Sequence, residues 1–228
     1  MTGIRQVDGG LGAAVVRWTM ATVRWSAISV ALLLAALVGV LAIVQYARYD
    51  PAADTRSTVN FASHPIAIVL HAVGASFAPL FGLLQWSTRL RRRWPAVHRW
   101  LGRAYLVGGV AIGGTAALWL SFFAYGGPVV GVGMGVVAVV WIVTSALALV
   151  AIRAGDVARH REWMLRSVAL ALGGVTLRIY LPLLSVADVP FLTAYRIAAW
   201  GSWVPNLLIA EAIVRWGRAR IGPSPRRA

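Results

Sequence analysis

Six stretches of this chain run for about 20 residues with little or no charge, the length a helix needs to cross the roughly 30 Å hydrocarbon core of a bilayer. They occupy residues 25–46, 65–86, 101–123, 128–152, 163–183 and 195–214. The fifth is the least apolar, because it carries Arg166 and Arg178. Hydrocarbon offers no water to bond a backbone amide or carbonyl, so a spanning segment must satisfy those groups internally, and at this length it does so as an α-helix. The chain is therefore expected to be an all-α integral membrane protein, a bundle of about six transmembrane helices. Its balance fits: 59% of the 228 residues are hydrophobic and 13% charged, with a mean hydropathy of +0.73, far more apolar than a water-soluble domain.

The net charge of +15 comes entirely from arginine, since all 22 basic residues are Arg. On a soluble chain that excess would suggest a nucleic-acid partner; here the arginines flank apolar runs, and no nucleic acid is expected. Eighteen of the 22 fall in four segments that alternating spans place on one side: Arg5 to Arg24, Arg89 to Arg103, Arg153 to Arg166, and Arg215 to Arg227. Arg48, Arg56, Arg178 and Arg196 belong to the other. Basic residues near span ends mark the cytoplasmic side, so both termini are expected there, beside anionic inner-leaflet lipids. With no cysteine, the chain has no disulfides, thiolate metal sites or thiol chemistry.

Residues 1–24 read as a basic N-terminal segment and 25–46 as an anchor. A signal peptide is the alternative for the latter, but its apolar core exceeds the usual 7–15 residues and Tyr46 does not suit a small-residue cleavage site. Residues 60–216 form the main transmembrane domain, and 217–228, with Pro223 and Pro225, read as a disordered basic tail. Gly126-Gly127-Pro128 is a tight hairpin between spans. The glycines at 108, 109, 113, 114, 131, 133 and 135 are read as small faces for close helix packing.

Ionisable groups inside a span are costly and mark functional candidates. His71 and Arg178 lie at similar depths below the outer boundary, with His64 two helical turns from His71 on the same face. One reading is an outward-opening pocket where Arg178 meets an anionic or carbonyl group and His71 exchanges a proton. The other is that Arg178 snorkels outward while His71 bonds a helix carbonyl. Asn206, beside Pro205, lies deeper, where it lines the same cavity or satisfies a freed carbonyl.

At the inner side two similar motifs open two helices: His98-Arg99-Trp100-Leu101-Gly102-Arg103, and His160-Arg161-Glu162-Trp163-Met164-Leu165-Arg166. The histidines are 62 residues apart, as in a weak internal repeat. Such a pair is suited to ligate one b-type haem (haem b), with Arg99, Arg103 or Arg166 pairing its propionates, or to hold a quinone head group or lipid phosphate. Plain interfacial anchoring is the competing reading. Hydrolytic and nucleotide-binding templates are absent.

At these motifs the chain resembles a family of bacterial multi-pass membrane proteins catalogued as domain of unknown function 2306. The resemblance rests on His71, Gly74, Gly82 and Gln85; His98, Arg99, Gly102, Arg103 and Tyr105; Trp141; His160, Arg161, Trp163, Met164 and Arg166; and Leu177, Arg178 and Pro182, across residues 60–185. It implies an integral domain in a bacterial plasma membrane and supplies no substrate. In helix count and in its four histidines the chain is also similar to diheme transmembrane cytochromes. Those pair histidines across helices at two depths, whereas His64 and His71 fall on one helix. Three functions stay open: a His/Arg-lined ligand-binding core, a haem or quinone redox protein, and a non-catalytic scaffold. A homodimer and another membrane protein are both open as partners.

Overall fold

The computed structural model describes residues 63–221 and seven positions between 29 and 44. The basic segment 1–24, most of the anchor 25–46, and residues 222–228 lie outside the described residues. From residue 65 to residue 221 the chain is helical, with short turns. The elements are α1 (Pro65–Leu84), α2 (Thr88–Arg93), α3 (Pro95–Ala104), a π-helical stretch (Tyr105–Gly114), α4 (Thr115–Ser121), α5 (Pro128–Arg153), α6 (Val157–Ala171), α7 (Gly173–Val186), α8 (Phe191–Gly201) and α9 (Val204–Ile221). No strand occurs among the described residues.

These elements join into five helices long and apolar enough to cross a membrane: Pro65–Leu84, Pro95–Ser121, Pro128–Arg153, Val157–Val186 and Phe191–Ala219. The chain is an all-helical membrane protein. The second and fourth spans start six residues before the apolar runs that announced them, because each has its own start signal. Pro95 sits at the first helical position, where its missing N–H costs nothing. Asp156 caps the other, accepting from the Arg159 amide at 2.9 Å. Both His-Arg motifs therefore stand on helices. α9 runs to Ile221, so the first residues of the expected tail are helical.

Two of the turns between spans rely on glycine where the backbone takes a positive φ, and Asp188, at φ 54°, does so after α7. Gly127 has φ 74° before Pro128, and Gly155 has φ 78° between α5 and the Asp156 cap. Proline accounts for the interruption in the last span. Pro205 has no amide to give the carbonyl of Gly201, and the helix ends there and restarts at Val204. The fourth span breaks at Leu172, and Asn206 bridges the break by donating to the Ala169 carbonyl at 3.3 Å and Thr176 Oγ1 at 3.0 Å.

Lipid tails are as apolar as leucine, so burial of apolar surface does not hold spans together; close van der Waals approach does. α1 crosses the π-helical stretch through glycine. A Cβ built on Gly74 would lie 2.6 Å from the Gly108 oxygen and 2.8 Å from the Gly113 Cα. Gly131 meets the Ser121 carbonyl and Gly133 meets Ala199 and Trp200 in the same way, tying α5 to α4 and α8. Gly108 itself has open space at its Cβ position, although its carbonyl is part of the crossing.

The crossing generates a prediction. Gly74→Ala should destabilise the protein by about 1–3 kcal/mol, because its methyl group meets backbone that cannot rotate away. Gly108→Ala should stay within about 0.5 kcal/mol of the parent. Thermal unfolding of the two variants in detergent checks the contrast, and equal effects would contradict it.

Candidate functional site

Near mid-depth the second, third and fourth spans are joined by four polar side chains, all buried: Tyr105, Trp141, Ser145 and Ser167. Donor counting fixes every proton. The Trp141 indole can only donate, so Tyr105 Oη accepts its N–H at 2.9 Å. The Ser145 hydroxyl donates to the Trp141 carbonyl at 2.7 Å, so in its 2.7 Å contact with Ser167 it accepts. The Ser167 proton is thereby engaged, and Tyr105 donates to Ser167 at 2.6 Å. Four donors meet four acceptors in a closed cycle that starts and ends on Trp141.

Trp141 also lines a cavity of about 320 Å³ to which all five described spans contribute. It lies in the half of the bundle away from the arginine-rich ends. His71 comes six residues into α1 and Arg178 eight residues before the end of α7, about 9 and 12 Å from the helix ends at 1.5 Å per residue. Both line this cavity. His71 donates Nδ1–H to the Gly113 carbonyl at 3.2 Å, since a carbonyl can only accept. Arg178 donates Nη1–H to the carbonyl of Gly174 at 3.1 Å. Among the described residues no carboxylate pairs with Arg178. No Asp or Glu among the described residues lines the cavity. The rest of the wall is mostly apolar and aromatic, with Leu120, Met134, Leu170 and Trp203 among its residues, and includes the hydroxyl residues Ser121, Tyr195 and Ser202. Asn206, a possible cavity residue by sequence, is not on this wall and serves the Leu172 break instead. His64 belongs to a second, open groove of about 650 Å³, and its ring packs 4.1 Å from that of Phe123.

The arginine-rich end is organised differently. The Tyr105–Ser167 bond joins residues 62 apart on parallel spans, and His98 and His160 each lie seven residues earlier, two helical turns below that bond. The repeat spacing is thus a register, and it puts the two histidines at one depth. They share no hydrogen bond or ring contact. His160 donates Nδ1–H to the Ala148 carbonyl at 2.8 Å, while His98 Nδ1 is buried without a partner. Neither lines the cavity or the open groove. Arg99 and Arg103 are exposed. Arg166 is buried and bonded through Nε and Nη2 to Glu211 Oε2, at 2.8 and 2.6 Å, with its Cζ 4.7 Å from the Trp163 ring centre. Glu211 also holds Arg215 at 2.9 Å, and Glu162 pairs with Arg218. Arg166 Nη1, like His98 Nδ1, is buried without a partner among the described residues, but the two histidines share no contact and line neither the cavity nor the groove, and this level gives the haem and quinone readings no support.

A family model described as a predicted membrane protein (DUF2306) matches residues 68–214. The chain belongs to that family. No curated protein and no solved structure matches it. The DUF2306 region contains the hydroxyl cycle, His71, Arg178 and both His-Arg motifs, and leaves His64 just outside. The cycle is the feature that sequence reasoning missed. Its signal was present in Tyr105 and Ser167, which repeat the 62-residue spacing of the histidines.

Removing one member of the cycle orphans its neighbours. Tyr105→Phe leaves the Trp141 N–H without an acceptor and should cost about 1–3 kcal/mol. Ser167→Ala should cost a similar amount, and the double variant less than the sum by at least about 0.5 kcal/mol. Unfolding of all three in one detergent measures the coupling; strict additivity would argue against a connected cycle.

Proposed function

We propose that this DUF2306 protein binds a small anionic or carbonyl-bearing ligand in the cavity, with Arg178 taking the ligand's acceptor oxygen and His71 beside it. The observation that supports this reading is a guanidinium whose one hydrogen bond among the described residues goes to its own helix, on a largely apolar cavity wall that has no carboxylate among those residues. A cation at membrane depth costs about 2.5–3.5 kcal/mol even on the more lenient insertion scales, and a bound anion offsets that cost. The arginine distribution supports a cytoplasmic location for the arginine-rich ends, with anionic lipid against them and the cavity in the half of the bundle nearer the opposite face.

Two measurements test the reading. Purified protein is heated with a panel of small carboxylates, phosphonates and short-chain quinones. A ligand at about 100 times its Kd should contribute about 2.7 kcal/mol, and Arg178→Gln should abolish the shift. Retention of the full shift in Arg178→Gln would remove Arg178 from the site. For the orientation, the cysteine-free chain permits single-cysteine labelling in intact cells: Tyr125→Cys should react with a membrane-impermeant maleimide and Thr88→Cys should not. The reverse pattern would invert the topology.

A further inference from the structure

The hydrogen-bonding state of the indoles, serines, His71 and Arg178 on the cavity wall narrows the ligand's chemistry, an inference that rests on the ligand-binding reading above. Several of these groups are already engaged. The Trp141 N–H goes to Tyr105, the Trp203 N–H to the Ala199 carbonyl at 2.9 Å, and the Ser121 hydroxyl to the Leu118 carbonyl at 2.7 Å. Both indoles therefore present only apolar surface to the cavity. Three kinds of group stay available. Arg178 keeps the N–H groups not bonded to Gly174. His71, with its Nδ1 proton held by Gly113, presents Nε2 of the neutral ring as an acceptor. Ser202 lines the cavity at 3% exposure, and its hydroxyl has no partner among the described residues.

Proline adds acceptors to the same wall. Pro79 and Pro182 lie inside α1 and α7, and each lacks the amide that would bond the carbonyl four residues earlier. Those carbonyls belong to Ala75 and Arg178, both cavity residues. The wall thus offers one cationic donor group and the Ser202 hydroxyl, together with an imidazole nitrogen and carbonyl oxygens that accept. A simple carboxylate answers the first and leaves the others unanswered, and a site with buried polar groups discriminates strongly against a ligand that leaves them unpaired.

We infer that the ligand is a hydroxylated organic monoanion: its carboxylate or equivalent oxygens accept from Arg178, its hydroxyl donates to His71 Nε2, and its carbon body lies against Trp141 and Trp203. Specificity then resides in His71, and charge recognition in Arg178.

The test uses two ligand pairs that differ by one hydroxyl, benzoate with 4-hydroxybenzoate and phenylacetate with mandelate, titrated by thermal shift and calorimetry against the full chain in detergent. At least one hydroxylated partner should bind about tenfold more tightly than its parent, the value of one well-made hydrogen bond. His71→Asn keeps an N–H for the Gly113 carbonyl and removes Nε2; it should bring the ratio to about one while the parent acid binds within about threefold of its original affinity. Ser202→Ala serves as the second variant and should leave the ratio in place. Parent acids that bind with a wild-type ratio near one in both pairs would overturn the inference and leave the proposed function standing. Failure of all four acids to bind would overturn both. A ratio that survives His71→Asn, or one that only Ser202→Ala abolishes, would overturn the assignment of the acceptor to His71.

Discussion

The approach of α1 to the π-helical stretch is the contact on which the cavity depends. Between helices in lipid the attraction is van der Waals contact, which falls away within an ångström, so two spans adhere only where their backbones come close. Gly74 and Gly113 allow that approach, and it brings the Gly113 carbonyl within reach of His71. The same contact that holds the spans together therefore orients the imidazole at the cavity wall. Helix association and the presentation of a polar group have one cause.

Polar groups in this bundle follow two rules according to depth. Near the middle they are uncharged and bonded to one another, as in the Tyr105–Ser167–Ser145–Trp141 cycle, because an unanswered hydroxyl or indole N–H in a dry interior costs more than the bond gains in water. Toward the arginine-rich end they are charged and paired, with Glu211 between Arg166 and Arg215, and Glu162 against Arg218. Arg178 obeys neither rule. It is charged, in the half of the bundle without these pairs, and opposite no carboxylate among the described residues.

The membrane character and the positions of the five described spans were legible in sequence because hydrocarbon enforces them: a charge-free run of 20 residues has few other uses. The first and last turns of the spans were less legible. Pro95 and Asp156 start helices among arginines, where hydropathy is poor and capping chemistry decides. His71 and Arg178 were found by counting residues from span ends, a procedure that works while helices are regular, and the wall they line has Trp141 and Ser202 as well, which no counting suggested. The hydroxyl cycle was hidden for a different reason. Ser145 and Ser167 look like small packing residues, and only the rotational setting of three helices reveals that their hydroxyls converge on Tyr105. The π-helical stretch, whose residues are as apolar as those of an ordinary span, carries no compositional mark.

The closure of that cycle has a consequence for transport of charge. A row of hydroxyls relays a proton when it has one open end that receives and another that releases. Here the last donor returns to the carbonyl of the residue that supplied the first, so the loop has no exit toward the histidines two turns below. It is an insulator set into the floor of the cavity. Through these four side chains no hydrogen-bonded path leads from Trp141 on the cavity wall toward the arginine-rich end.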